Sequence, residues 1–179
     1  MKIETTRLIM REVRLEDAAG MFELDANPNV RKYLGGNPLT KIEQSIKEIE
    51  WLQFQYKEYG IGRWAVIEKG TNEFVGWSGL KWITEAINNK VHYYDLGYRL
   101  CERFWGKGYA PEAALASLKY AFEELNLNRV EARIATKNEV SKYLVKSIGF
   151  QLEGTMRQDS FINDKFHDME VYGILKKEF

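Results

Sequence analysis

The chain has 179 residues, enough for one domain whose core needs no metal or disulfide staple. Lys plus Arg and Asp plus Glu each total 26, so the formal net charge is zero and nothing global recruits the chain to nucleic acid or to an anionic membrane. A single cysteine, Cys101, excludes an internal disulfide and fits a reducing compartment.

The opening residues Met1-Lys2-Ile3-Glu4-Thr5-Thr6-Arg7 carry charge where a signal peptide needs an apolar core, and no apolar run approaches the length of a membrane span; a cytoplasmic protein is expected. Thr6 to Val13 reads as a first strand. Leu15 to Leu24 reads as a helix with acids, Glu16 and Asp17, in its first turn. Asn27-Pro28-Asn29 and Gly35-Gly36-Asn37-Pro38 mark loops, and the type of Val30 to Leu34 between them stays open. Thr40-Lys41-Ile42-Glu43 has the form of a capping box, with Thr40 and Glu43 as the reciprocal pair. It opens a long helix to Tyr59, with the stripe Ile42, Ile46, Ile49, Leu52 and Tyr56 and a stop at Gly60. Trp64 to Glu68 and Phe74 to Trp82 read as a hairpin. Thr84 to Lys90 is polar and loop-like, and Val91 to Leu100 is another strand.

Between that strand and a helix from Pro111 to Leu125 lies Arg103-Phe104-Trp105-Gly106-Lys107-Gly108-Tyr109-Ala110. Two glycines with one residue between them, where a strand ends and a helix begins, permit a turn whose N–H groups point into one concavity. The first helical turn adds unpaired N–H groups and the positive end of its dipole, and Arg103 and Lys107 add side-chain charge. A phosphate or pyrophosphate is the natural guest. Pro111 at the first helical position lacks an N–H that would have had no partner.

A dinucleotide-binding fold would need a third glycine where Pro111 stands, and a P-loop would need Ser or Thr where Gly108 stands. Downstream, Arg129 to Thr136 alternates as a half-buried strand, Asn138 opens a short helix through Ile148 with Gly149 at its end, and Phe150 to Met156 and His167 to Leu175 are the last strands. No repeat or linker divides residues 1–179, so a single domain is expected. His92 and His167 have no metal-ligand spacing, and no other ligand cluster appears, so no metal is expected.

In the longer form Trp105-Gly106-Lys107-Gly108-Tyr109-Ala110-Pro111-Glu112-Ala113, the glycine turn resembles the coenzyme A pyrophosphate loop of the GNAT superfamily of N-acetyltransferases. Thr6-Arg7-Leu8-Ile9-Met10-Arg11 with Asp17-Ala18 is similar to the opening of the branch that contains ribosomal-protein N-terminal acetyltransferases. Asp95-Leu96-Gly97-Tyr98, Leu127-Asn128-Arg129-Val130, Asn138-Glu139-Val140-Ser141 and Ile148-Gly149-Phe150 extend the resemblance over the whole chain.

The resemblance implies an α/β (α+β) fold with a mixed, largely antiparallel central sheet, a splayed parallel strand pair and helices on both faces. The implied reaction moves an acetyl group from acetyl-CoA directly to a primary amine. Implied cofactor-binding residues are Arg99, Leu100, Arg103, Gly106, Lys107, Gly108, Tyr109, Ala110 and Asn138. A backbone N–H near Leu100 and Cys101 would polarise the thioester carbonyl. Asp95 matches an acidic position that serves as base in some members, and pairing with a cation would explain it equally. Ser141 matches a serine that can protonate the departing thiolate, and a first-turn serine bonding backbone is the plain alternative. Asn138 would also be explained as a helix N-cap.

The sequence departs from the family pattern twice. Val145 stands where many members carry a tyrosine acid, and Ser160, beside Asp159, stands where ribosomal-protein enzymes can use a glutamate. The acceptor stays open between a protein N-terminus and a small amine such as an amino acid, polyamine or antibiotic. A non-catalytic coenzyme A binding module is the reading from another class. The last strands also leave room for a homodimer.

Overall fold

The computed structural model describes residues 2–84 and 92–179. Its strands are β1 Lys2–Glu4, β2 Leu8–Arg11, β3 Arg63–Glu68, β4 Phe74–Ile83, β5 Tyr93–Leu100, β6 Arg129–Ala135, β7 Gln151–Ile162 and β8 Lys165–Leu175. They form one sheet in the order β1-β2-β3-β4-β5-β6-β8-β7. Every neighbouring pair is antiparallel except β5 and β6, which run parallel. A parallel pair needs a long crossover, and the helix after the glycine turn supplies it. The helices are α1 Ala18–Ala26, α2 Pro28–Arg31, α3 Ile42–Tyr59, α4 Tyr109–Lys119 and α5 Glu139–Ser147.

Consecutive residues of a strand point to opposite faces, and β4 shows which helices lie on each. Ser78 meets Ser117 of α4, with their hydroxyls 3.4 Å apart. Ala113 and Ala114 are fully buried, so α4 lies close against the sheet. Trp77 points the other way, beneath the guanidinium groups of Arg63 and Arg99, toward the side that carries α1 and α3. The sheet is therefore covered on both faces, as the resemblance implied. Trp64, Leu80, Leu118, Phe122, Tyr172 and Ile174 are among the buried side chains at its centre.

Several elements differ from expectation for local reasons. The first strand is two strands, because Thr5 and Arg7 leave the ladder to bond Glu112. The first helix begins as a 3-10 turn, Leu15–Asp17. Val30 belongs to the short helix α2, which Asn27 caps by accepting from the Asn29 N–H at 2.9 Å. At the start of α3 the reciprocal partner is Gln44 rather than Glu43: its Oε1 accepts from the N–H groups of Thr40 and Lys41, at 2.9 and 3.0 Å. Gly60 ends α3 with φ 67°, as its position implied.

Helix α4 starts at Tyr109, so Pro111 is its third residue, still within the turn whose N–H groups lack helical partners. The helix then widens into a π turn, Tyr120–Glu124. The last two strands run to a two-residue turn, Asn163-Asp164, where both residues have positive φ. Irregular register between β7 and β8 breaks the alternation that would have shown their length. Residues 85–91, most of the expected loop after Thr84 together with the expected strand start at Val91, lie outside the described residues.

Replacing Gln44 by Ala removes the acceptor of two N–H groups at the entry to α3. We expect a loss of about 1 kcal/mol, read as a lower thermal midpoint with unchanged secondary structure.

Candidate active site

Strands β5 and β6 pair at one register position, Asp95 with Glu131, and beyond it they diverge. A cleft of about 1400 Å³ opens where they part, lined by β5 from Asp95 to Leu100 and β6 from Ala132 to Ala135. Its floor continues into Gly106, Gly108, Ala110 and Pro111 on one side and Asn138 and Ser141 on the other. Asp95, Arg99, Leu100, Gly106, Gly108, Ala110, Asn138 and Ser141 thus share one cavity, whereas Arg103, Lys107 and Tyr109 do not line it.

Gly106 and Gly108 have φ of 71° and 78°, the left-handed region that side chains strain to enter. Gly108 caps α4 in that conformation and so turns the chain from loop into helix. The loop is braced from the sheet edge. The Arg7 guanidinium donates to the Lys107 carbonyl at 2.8 Å and to Glu112 at 2.7 Å, and it lies 4.5 Å from the centre of the Tyr109 ring. Thr5 and the Arg7 N–H donate to the same Glu112 carboxylate. Tyr109 donates its hydroxyl to Glu68 at 2.6 Å, so its side chain serves packing while its backbone belongs to the helix start.

The side-chain charges expected at the loop lie elsewhere. Arg103 is held by Glu23 at 2.8 Å and Glu73 at 2.6 Å, and Lys107 lies 5.1 Å from the centre of the Phe104 ring. Two carboxylates outcompete an open turn for Arg103, so the cradle is built of backbone rather than of these cations.

At the end of β5, the Cys101 N–H donates to Val75 O at 2.9 Å and is therefore taken. An antiparallel strand alternates the sides to which its N–H groups point, so the Leu100 N–H faces the opposite edge, toward the gap. Of the two positions named from sequence, Leu100 is the one aimed correctly. Trp105 Nε1 donates to Leu100 O at 2.8 Å and fixes this exit.

Asp95, Gly97 and Arg99 share the other face of β5. Arg63 crosses from β3 to donate to Asp95 at 2.9 Å, and a Cβ on Gly97 would lie 2.7 Å from the Arg63 guanidinium. That glycine keeps the path clear. Burial pushes the Asp95 carboxyl up from its ordinary value, and Arg63 opposes the shift. Arg99 pairs with the buried Asp25, to which Arg31 donates at 3.2 Å. Glu48 stands beside them, its carboxyl raised first by burial and then by Asp25. Arg63, Asp25, Arg31 and Glu48 had no sequence signal, because their shared surface is made only when β3, β4 and α1 to α3 converge.

Asn138 caps α5, accepting from the Ser141 N–H at 3.3 Å. The Ser141 hydroxyl lies 2.7 Å from that of Tyr98, whose oxygen is also 3.2 Å from Ser141 O. Ser160 lines the cleft, whereas Asp159 is paired with Arg133 at 2.7 Å. Cys101 is buried and its thiol is raised to about 12 by that burial, which leaves it unsuited to act as a nucleophile. No group of three or more His, Cys, Asp or Glu could hold a metal ion, and no helix is long and apolar enough to cross a membrane, among the described residues.

The model of the acetyltransferase (GNAT) domain matches residues 7–151. The chain belongs to the GNAT acetyltransferase family. An uncharacterised N-acetyltransferase p20 of Bacillus licheniformis is 33% identical over 98% of this chain and 96% of its own. The crystal structure of a GNAT-family acetyltransferase from Bacillus anthracis superposes with a TM-score of 0.84 at 28% identity, covering 99% of this chain and 100% of the other. A structure of the ribosomal L7/L12 alpha-N-protein acetyltransferase RimL in complex with coenzyme A shares the fold, with a TM-score of 0.83 at 21% identity and 98% coverage of both chains. A spermidine N(1)-acetyltransferase of Vibrio cholerae is 24% identical over 97% of this chain and 96% of its own. The GNAT assignment makes the chain an N-acetyltransferase that uses acetyl-CoA, and these relatives include both kinds of acceptor.

Replacing Gly108 by Val forces a β-branched residue to φ 78° and puts its Cβ 3.3 Å from Arg7. We expect the acetyl-CoA dissociation constant to rise at least about tenfold, measured by calorimetry, while circular dichroism stays native.

Proposed function

We propose that this N-acetyltransferase acetylates the N-terminus of a protein or peptide by direct attack of the amine on acetyl-CoA. Support for a donor site comes from the backbone cradle at Gly106 and Gly108, continued by Lys107, Tyr109 and Ala110 at the start of α4. Asn138, Arg99 and Leu100 line the gap that receives the rest of the coenzyme, with the Leu100 N–H directed at the thioester carbonyl. Arg103 contributes from outside, by tying the loop to α1 through Glu23.

Asp95 takes the proton of the attacking amine by way of water, because five extended residues, about 16 Å, separate it from the Leu100 N–H that would hold the carbonyl. The place of Asp95 at the apex of the gap puts it on the acceptor side, and burial raises it toward the range where a carboxylate is an effective base. Ser141, on the opposite side of β5, faces the departing sulfur. The lack of an available thiolate at Cys101 favours transfer without an acyl-enzyme.

The observation that favours a peptide acceptor is charge. The acceptor side of the cleft carries Lys32, Arg63 and Arg99 against Asp95 and Glu102. Glu102 already accepts from Asn27 and Asn29 at 2.7 and 2.9 Å. Arg63 and Arg99 are already paired with Asp95 and Asp25, so this surface offers a polyamine's several cations no excess of carboxylate to pair with. A peptide N-terminus brings one amine, which becomes neutral before it attacks. Tyr33, Leu34, Trp77 and Phe161 give its first side chains an apolar wall.

Thiol release from acetyl-CoA should be at least about tenfold more efficient, in kcat/KM, with N-terminal peptides than with spermidine. The reverse order would favour the polyamine reading, and coenzyme binding with no turnover on any amine would favour a binding module.

The pH profile tests the base. Activity requires the carboxylate, so it falls as pH drops through the Asp95 value, which burial raises from its ordinary position. Arg63 favours the charged form, so Arg63→Gln should move the acid limb of kcat to still higher pH, and Asp95→Asn should abolish that limb. An acid limb that neither substitution moves would assign proton removal elsewhere.

A further inference from the structure

Val145 occupies the position where many members of the family carry a tyrosine acid, and it is fully buried, so α5 offers no phenol there. A tyrosine nevertheless reaches the same serine from the facing strand. Tyr98 comes from β5, lines the cleft, and places its hydroxyl 2.7 Å from that of Ser141.

Either hydroxyl could donate across the 2.7 Å contact, and the inference takes Tyr98 as the donor. Tyr98 has one proton to give, and two oxygens of Ser141 are within reach, the carbonyl at 3.2 Å and the hydroxyl at 2.7 Å. For an O–H donor the usual range is about 2.5 to 3.0 Å, so the hydroxyl is the better acceptor. Once Tyr98 donates to Oγ, the serine's own proton cannot point back at it and turns into the cleft. The Ser141 N–H is fixed separately by Asn138 at 3.3 Å, so the backbone and side chain of the serine are held by different partners. Ser141 also lies in the first turn of α5, where the helix dipole favours negative charge.

We propose that Tyr98 is a positioning residue for acetyl transfer: its phenol donates to Ser141 Oγ and thereby aims the serine hydroxyl at the sulfur of the departing coenzyme. The inference rests on the acetyl-transfer reading and extends it. When the carbon–sulfur bond breaks, the electron pair stays on sulfur, and the thiolate is held by the Ser141 O–H. The amine's proton leaves by the base on the opposite side, and the coenzyme takes a proton from solvent after release. No net proton leaves Tyr98. Burial raises its phenol to about 12, far above a thiol at about 8.5, so giving the proton away to a thiolate would be uphill. The phenol therefore acts as a permanent donor rather than as an acid.

The test uses free coenzyme A bound to the full-length protein, with thiolate absorbance followed against pH, so that no acceptor is needed. Holding the thiolate should depress the bound thiol's titration midpoint below that of free coenzyme A. Tyr98→Phe and Ser141→Ala should each raise the bound midpoint by about one pH unit, and the double variant should raise it no further. In steady state with acetyl-CoA, Tyr98→Phe should lower kcat about tenfold and leave KM for acetyl-CoA within about twofold. A midpoint in Tyr98→Phe equal to wild type, with Ser141→Ala shifted, would overturn the role of Tyr98. Fully additive effects on kcat would likewise reduce Tyr98 to packing. Failure of the wild-type protein to bind coenzyme A would overturn the acetyl-transfer reading itself, and the positioning role with it.

Discussion

The site depends on the parting of β5 and β6. Parallel strands that stayed paired would satisfy each other's backbone groups along their length and leave nothing to offer a ligand. Here they share one register position, Asp95 with Glu131, and then separate, which leaves the edge of β5 from Leu96 to Leu100 facing an open cleft. Backbone donors that would be costly to bury unpaired become recognition groups for an extended arm bearing amides. The antiparallel partner β4 keeps β5 straight while this happens, since their register runs unbroken from Ile83 with Tyr93 to Gly76 with Leu100.

A cleft of this kind needs its far end fixed, and the N-terminal segment does that. Thr5 and Arg7 interrupt the sheet between β1 and β2 so that both reach Glu112 in the first turn of α4. The glycine loop is left-handed at Gly106 and Gly108 and would be among the looser parts of the chain by itself. Arg7 bonds to the Lys107 carbonyl and covers the Tyr109 ring, so the loop is held in shape before any ligand arrives. Preorganised donors lose less on binding than donors that must first be ordered. On the opposite rim, Glu102 accepts from Asn27 and Asn29, so the residues just before the glycine loop also hold the entry to α2.

What was legible in the sequence was what a short window encodes. The stripe from Ile42 to Tyr56 gave α3, paired glycines at a strand-to-helix junction gave the left-handed turn into α4, and Gly60 gave a helix stop. Capping failed by one residue at Thr40, since Gln44, with a side chain of the same length as Glu43, sits where its Oε1 meets the N–H groups of Thr40 and Lys41. Arg103 and Lys107 illustrate a deeper limit. Their positions next to the glycines were correct, but sequence spacing does not say which way a side chain turns, and Glu23 and Glu73 arrive from elements about 80 and 30 residues away. Arg63 was invisible for the same reason. Gly97 did carry a signal: a glycine between Asp95 and Arg99 on one strand face implies that something crosses there, and the Arg63 guanidinium is what crosses.

In the proposed reaction the two faces of β5 divide the chemistry. On the acceptor face, Asp95 and Arg99 belong to a set of opposite charges with Asp25, Arg31, Arg63 and Glu48, much of it buried. Burying such pairs adds little net stability compared with apolar packing, so their retention at the cleft is better explained by what they do to Asp95. Arg63 moderates the rise that burial alone would impose, which keeps the carboxylate available while leaving it more basic than one in water. On the donor face the groups are neutral: Tyr98, Ser141 and Asn138 offer hydroxyls and an amide, with the start of α5 behind them. A base needs a tuned charge, and a leaving thiolate needs fixed donors. A strand with alternating side chains keeps the two requirements within a few residues of each other and lets neither disturb the other.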